Sequence, residues 1–214
     1  MAMEKFTTLK SVAAPLPLPN IDTDVIIPSR EMKGTGKTGL SVGMFANWRY
    51  SDPIKRVENP DFILNKAPYR AAKILIGGKN FGCGSSREHA VWAMSEYGFR
   101  AVLAPSFGAI FYGNCVRNGI LPVVLSEDLI TALAEKTAAD PAKNQIEIDL
   151  PRQTVSVADG TPYVFTIPRA DKDMLVEGLD SVDLTLRRGG EIEAFERADH
   201  NVRPWAYATP ASSN

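Results

Sequence analysis

Apolar and polar positions change period along the chain, and the changes mark out its elements. Lys73 to Ile76 ends in the continuous apolar run Ile74-Leu75-Ile76, which predicts a buried strand. From Ser86 to Tyr97 the period becomes helical: Ala90, Ala93, Met94 and Tyr97 share one face, and Gly98 closes the segment. Ala101–Ala104 predicts a second strand, Phe107–Asn118 a helix ended by Gly119, and Leu121–Leu125 a third strand. Ser126 caps a further helix that runs to Ala139. Strands are expected at Gln145–Leu150, Thr154–Val157 and Tyr163–Ile167, the first two as a hairpin. A helix follows over Ala170–Glu177, closed by Gly178, and a last one over Glu191–Arg197, with fraying beyond Pro204.

The first third is less regular. Ala13 to Pro19 carries three prolines and reads as an extended entry segment. Asn20-Ile21-Asp22-Thr23-Asp24 is turn chemistry, and Val25-Ile26-Ile27, stopped by Pro28, predicts a short buried strand. Residues 30 to 60 are punctuated by Gly34, Gly36, Gly39 and Gly43 and end in Trp48-Arg49-Tyr50. A loop of that length with aromatic residues at its end is read as functional. The pattern predicts one α/β domain over residues 1–200, with an antiparallel β layer added late and a flexible tail at 201–214.

Composition adds exclusions. The 214 residues are 44% hydrophobic and 23% charged with a net charge of −1, which argues against a general nucleic-acid or membrane binder. No apolar run approaches membrane-spanning length, and residues 1–10 hold no signal core, so a cytoplasmic location is expected. The two cysteines, Cys83 and Cys115, form no C-x-x-C pair and share no metal-ligand spacing with histidine.

Lys33-Gly34-Thr35-Gly36-Lys37-Thr38 imitates a phosphate-binding loop, but the glycine required five positions before Gly36 is Glu31. The segment is better read as a loop that offers Lys37 and Thr38 to a ligand or a partner. The densest chemistry lies in Phe81-Gly82-Cys83-Gly84-Ser85-Ser86-Arg87-Glu88-His89-Ala90, between a strand and a helix. Ser85-x-x-Glu88 satisfies the capping-box pattern, a purely structural reading. Arg87 sets a second reading beside it. A cation in a first helical turn opposes the helix dipole, and its helical neighbours Ala90 and Val91 supply no carboxylate. Arginine, two hydroxyls and unpaired N–H groups together make a pocket for an anion, above all a carboxylate.

Ser85 could also act as a base, but not unaided. An alcohol resembles bulk water, with a pKa of about 15.7, so an alkoxide near neutral pH costs roughly 12 kcal/mol. A helix N-terminus returns at most about 2 kcal/mol. The remainder requires a closed, dry site or a metal-bound substrate shared with another polypeptide. His89 is read as structural and His200 as peripheral. Asp22 and Asp24 are too few for a metal and are read as turn caps or arginine partners. Asn114 and Asn118 share a helix face, with helix-end hydrogen bonding as the plain reading and pocket lining as the alternative.

The Phe81–Ala90 segment resembles the serine-arginine signature of the mobile C-terminal domain of the aconitase superfamily. Asn20-Ile21-Asp22-Thr23-Asp24-Val25-Ile26-Ile27-Pro28 resembles the opening of the free-standing form of that domain, the small-subunit family of 3-isopropylmalate dehydratase. Ser106-Phe107-Gly108-Ala109-Ile110-Phe111-Tyr112-Gly113-Asn114, Gly119-Ile120-Leu121-Pro122 and Gly178-Leu179-Asp180 are similar to the same family, so the likeness spans about residues 4 to 200. The resemblance implies a three-layer β/β/α swivelling domain and interchange of 2-isopropylmalate and 3-isopropylmalate through the dehydrated alkene, in leucine biosynthesis. It also implies a partner large subunit that carries a [4Fe-4S] cluster. By position it assigns Ser85 as the base that moves the C–H proton, and Ser86 and Arg87 as carboxylate ligands. The loop around Lys33–Leu40, with Lys37 and Thr38, would meet the isopropyl group, and Arg49 is the candidate for a second carboxylate-binding arginine. Two alternatives stand beside this: a small subunit for a related acid of the homoaconitate or citraconate type, and a non-catalytic anion-binding module.

Overall fold

The computed structural model describes residues 3–32, 36–84, 87–158 and 160–207. The strands are β1 (Thr8–Ser11), β2 (Ala13–Leu16), β3 (Tyr50–Asp52), β4 (Val57–Glu58), β5 (Ile74–Gly77), β6 (Ala101–Ala104), β7 (Leu121–Val124), β8 (Ile146–Asp149), β9 (Thr154–Val157) and β10 (Tyr163–Val164). The helices are α1 (Thr23–Ile26), α2 (Ala46–Arg49), α3 (His89–Tyr97), α4 (Ala109–Arg117), α5 (Glu127–Ala139), α6 (Arg169–Glu177), α7 (Ser181–Leu186) and α8 (Gly189–Val202).

A parallel sheet in the order β2-β5-β6-β7 forms the middle layer. Its central strands are apolar on both faces because both faces are covered. Leu75, Val102 and Ala104 point into one core, with Ala90, Val91, Ala93 and Met94 of α3 and the aromatic residues Phe45 and Phe62. Ile74, Ile76, Ala101, Leu103 and Val123 point into the other, against Ile146, Ile148, Val155 and Val157 of the antiparallel sheet β1-β8-β9-β10. Helices α5 and α6 close that side through Ile130, Leu133, Met174 and Leu175. The layers are therefore antiparallel sheet, parallel sheet and helix.

Five expectations change. Val25-Ile26-Ile27 belongs in part to helix α1 rather than to a strand: Asp22 caps the turn by accepting from the Val25 N–H at 2.7 Å, while Ile26 and Ile27 are fully buried. A short buried apolar run has no period that separates the two states. Helix α3 starts at His89 and not Ser86, so Glu88 is its N-cap and not its third residue. The Glu88 carboxylate accepts from Asn118 Nδ2 at 2.8 Å, and Ser85, the other half of the capping-box pattern, lies outside the described residues. The antiparallel layer is not wholly late, since β1 pairs with β8 along its length. The last strand is confined to Tyr163–Val164, and the last helix extends to Val202, braced by the Arg188–Glu191 and Asp199–Arg203 ion pairs.

Candidate functional site

Three loops leave the C-terminal ends of β2, β5 and β6 and meet at one edge of the parallel sheet, the place where open α/β sheets bind ligands. Backbone hydrogen bonds lock them together. Gly82 donates to Ile21 O at 2.7 Å, Thr23 N to Cys83 O at 3.0 Å, Phe81 N to Ser106 O at 2.9 Å and Gly108 N to Phe81 O at 2.9 Å. Asn80 Nδ2 adds a link to Asn20 Oδ1 at 2.9 Å. Two glycines make the approach possible. Gly82 has φ +70°, and a Cβ there would stand 2.1 Å from the Phe111 ring; one on Gly108 would stand 2.6 Å from Gly82 O. The floor is aromatic, with Phe81 edge-on to Phe111 at 5.5 Å and to Phe107 at 6.3 Å.

Above this floor lies a cavity of about 190 Å³, lined by Thr23, Gly82, Cys83, Gly84, Arg87, Gly108, Ala109, Ile110, Phe111 and Asn114. The first turn of α4 opens onto it. Gly108 caps that helix without a side chain, and no acidic residue stands in its first turn, so its leading N–H groups favour an anion. Arg87 precedes α3 rather than entering its first turn, which removes the dipole conflict expected from the sequence. Its Nη1 donates to Asp24 Oδ1 at 2.5 Å, with the Arg87 side chain 31% exposed. A guanidinium offers five donors, so one such bond leaves most of the fork to a ligand. The arginine-partner reading of Asp24 and the cap reading of Asp22 both hold.

The predicted site residues do not all converge. Ser85 and Ser86 lie outside the described residues, as do Lys33, Gly34 and Thr35. Arg87 lines the cavity. Lys37 is exposed, its Nζ 4.9 Å from the centre of the Trp92 ring, and Thr38 is exposed beside it. Arg49 does not reach the cavity: it lies over the rings of Tyr50 and Tyr97 and donates to Ser41 O at 3.0 Å. His89 stacks on Trp92 at 4.7 Å, a structural contact.

Sequence reasoning did not single out Thr23, the Gly108 cap or Cys83 as lining, and gave Asn114 the plainer of two roles. Asn114 is buried and lines the cavity while its Oδ1 accepts from Arg117. The glycine just before an apolar helix, with no side-chain cap, was the available signal. Among the described residues no group of three or more His, Cys, Asp or Glu side chains is placed to hold a metal ion. Burial pushes the Cys115 thiol well above its usual range, which disfavours the thiolate a metal would need. No helix among the described residues is long and apolar enough to cross a membrane.

Comparison with known proteins extends this picture. The family model of the aconitase C-terminal domain matches residues 3–128. The chain is 53% identical over 205 residues to the 3-isopropylmalate dehydratase small subunit of Cupriavidus necator, covering 96% of this chain and 99% of that one. It is 48% identical over 204 residues to the small subunit of the same name from Agrobacterium fabrum, covering 95% and 100%. A crystal structure of 3-isopropylmalate dehydratase from Methanocaldococcus jannaschii superposes with a TM-score of 0.62 at 25% identity, covering 87% of this chain and 99% of that one.

Proposed function

Because this chain belongs to the 3-isopropylmalate dehydratase small-subunit family, within the aconitase C-terminal-domain superfamily, we propose that it supplies one half of the active site that interchanges 2-isopropylmalate and 3-isopropylmalate by dehydration and rehydration. It is a hydro-lyase subunit of leucine biosynthesis. The observation that carries the reading is the cavity where Arg87 and the open first turn of α4 face the same space. Its volume of about 190 Å³ is below the roughly 300 Å³ at which ordinary small-molecule pockets begin, as expected of one wall of a shared site.

In this reading Arg87 grips a substrate carboxylate, and the α4 N–H groups stabilise negative charge beside it. Ser86 adds a hydroxyl donor, and Ser85 takes and returns the proton on carbon. The other wall belongs to a large subunit. The same reading, by the family resemblance, places a [4Fe-4S] cluster in that partner. Assembly in the cytoplasm fits the two free thiols, Cys83 and Cys115.

Arginine and lysine differ here in a way that can be measured. Lysine keeps the charge but cannot make two parallel bonds to a carboxylate. Arg87→Lys in the assembled enzyme is expected to lower kcat/KM about 10- to 100-fold, mostly through KM. Steady-state assays that follow alkene absorbance would show it. An unchanged KM removes Arg87 from substrate binding.

A further inference from the structure

Three consecutive backbone N–H groups converge on one carboxylate far from them in sequence. Gly39 donates to Glu96 Oε1 at 2.6 Å, and Leu40 and Ser41 donate to Glu96 Oε2 at 2.6 and 2.7 Å. Gly39 sits at φ +79°, the left-handed turn that lets successive amides form an anion-binding nest. Glu96 lies in the last turn of α3, where the helix dipole opposes an acid. Burial pushes its carboxyl up, but the three amide bonds and the Ser41 hydroxyl outweigh that, and its pKa falls below the usual range.

The same stem is held from its other edge. Ser41 O accepts from Arg49 Nη1 at 3.0 Å, and Leu40 is buried. Just upstream, Lys37 Nζ rests over Trp92, one turn before Glu96 on α3. Trp92 Nε1 donates to Asn118 Oδ1 at 3.1 Å, and Asn118 reaches Glu88, the neighbour of Arg87. Arg87 therefore stands just ahead of the helix whose far end clasps the Gly39–Ser41 stem.

We propose that Glu96 is a positioning residue for substrate recognition: by fixing the Gly39–Ser41 stem it sets where Lys37 and Thr38 stand relative to Arg87. Glu96 lines no part of the cavity, so it acts through the segment it holds. The proposal rests on the function argued above, together with the role that the family resemblance implies for the loop around Lys33–Leu40, which is to meet the isopropyl group of the substrate.

The test is Glu96→Gln with Glu96→Asp beside it, each assembled with the large subunit. Glutamine has one acceptor oxygen and turns an NH₂ donor toward N–H groups. KM for isopropylmalate is expected to rise about 10-fold with kcat within about 2-fold, and Glu96→Asp to fall between. A purely structural glutamate would instead lower kcat in step with the folded fraction and leave KM alone, which overturns the proposal. Trypsin cleavage after Lys37 in the lone chain provides a readout that does not need turnover. Glu96→Gln should accelerate it about 10-fold, and an unchanged rate overturns the clasp. If the wild-type pair fails to turn over isopropylmalate, the proposed function fails while the cleavage result still decides the clasp.

Discussion

Replacing Ser85 by alanine is expected to lower kcat of the assembled enzyme about 1000-fold while KM moves less than about 3-fold. Positioned proton transfer contributes roughly 100- to 10,000-fold, and alanine removes the oxygen proposed to accept the proton. The carboxylate grip through Arg87 does not depend on that oxygen, so ground-state binding should persist. Cysteine at the same position should not restore the rate, because its much lower pKa makes it a weaker base than an alkoxide once ionised. Single-turnover and steady-state kinetics on the same preparation would separate the proton step from binding. A kcat within about 3-fold of wild type sends the base assignment elsewhere.

The largest effect on stability is expected at Gly82. Its φ of +70° belongs to the left-handed region, which costs an ordinary residue about 1–2 kcal/mol. A Cβ there would also lie 2.1, 2.4 and 2.6 Å from three atoms of the Phe111 ring. That ring is 2% exposed and wedged against Phe81, so it has little room to yield. Overpacking of such a core adds about 1–3 kcal/mol. Gly82→Ala should therefore lose about 2–5 kcal/mol in urea unfolding. Pairing it with Phe111→Leu should destabilise less than the sum of the two single changes, because the smaller side chain relieves the clash and leaves only the backbone strain. A loss below about 1 kcal/mol would mean that the loop packs otherwise.

These two residues also show how unevenly the molecule is written in its sequence. The strands Ala101–Ala104 and Thr154–Val157 and the glycine ends at Gly98 and Gly178 were readable, because continuous or alternating apolar runs and left-handed caps are local signals. Thr8–Ser11 escaped because only Ser11 is buried and its partner strand lies beyond residue 145. The α1 turn was misread as a strand for want of a period. The strand–loop–helix placement of Arg87 was legible, but its bond to Asp24 spans 63 residues and exists only once three loops converge. Arg49 illustrates the same limit. The family resemblance offered it as a second carboxylate-binding arginine, whereas the fold places it on Ser41 O and over two tyrosine rings. Glu96 carried no sequence signal, because its partners are backbone amides that any residue would supply.

The central claim is that this chain holds half of a site. One side-by-side assay tests it most directly: the purified chain alone, a cluster-loaded large subunit alone, and the two mixed at rising ratios, with 3-isopropylmalate as substrate and alkene absorbance as the signal. The account predicts no turnover from either alone and saturable turnover from the mixture. Turnover by the lone chain, or none from a mixture that demonstrably forms a complex, would contradict it.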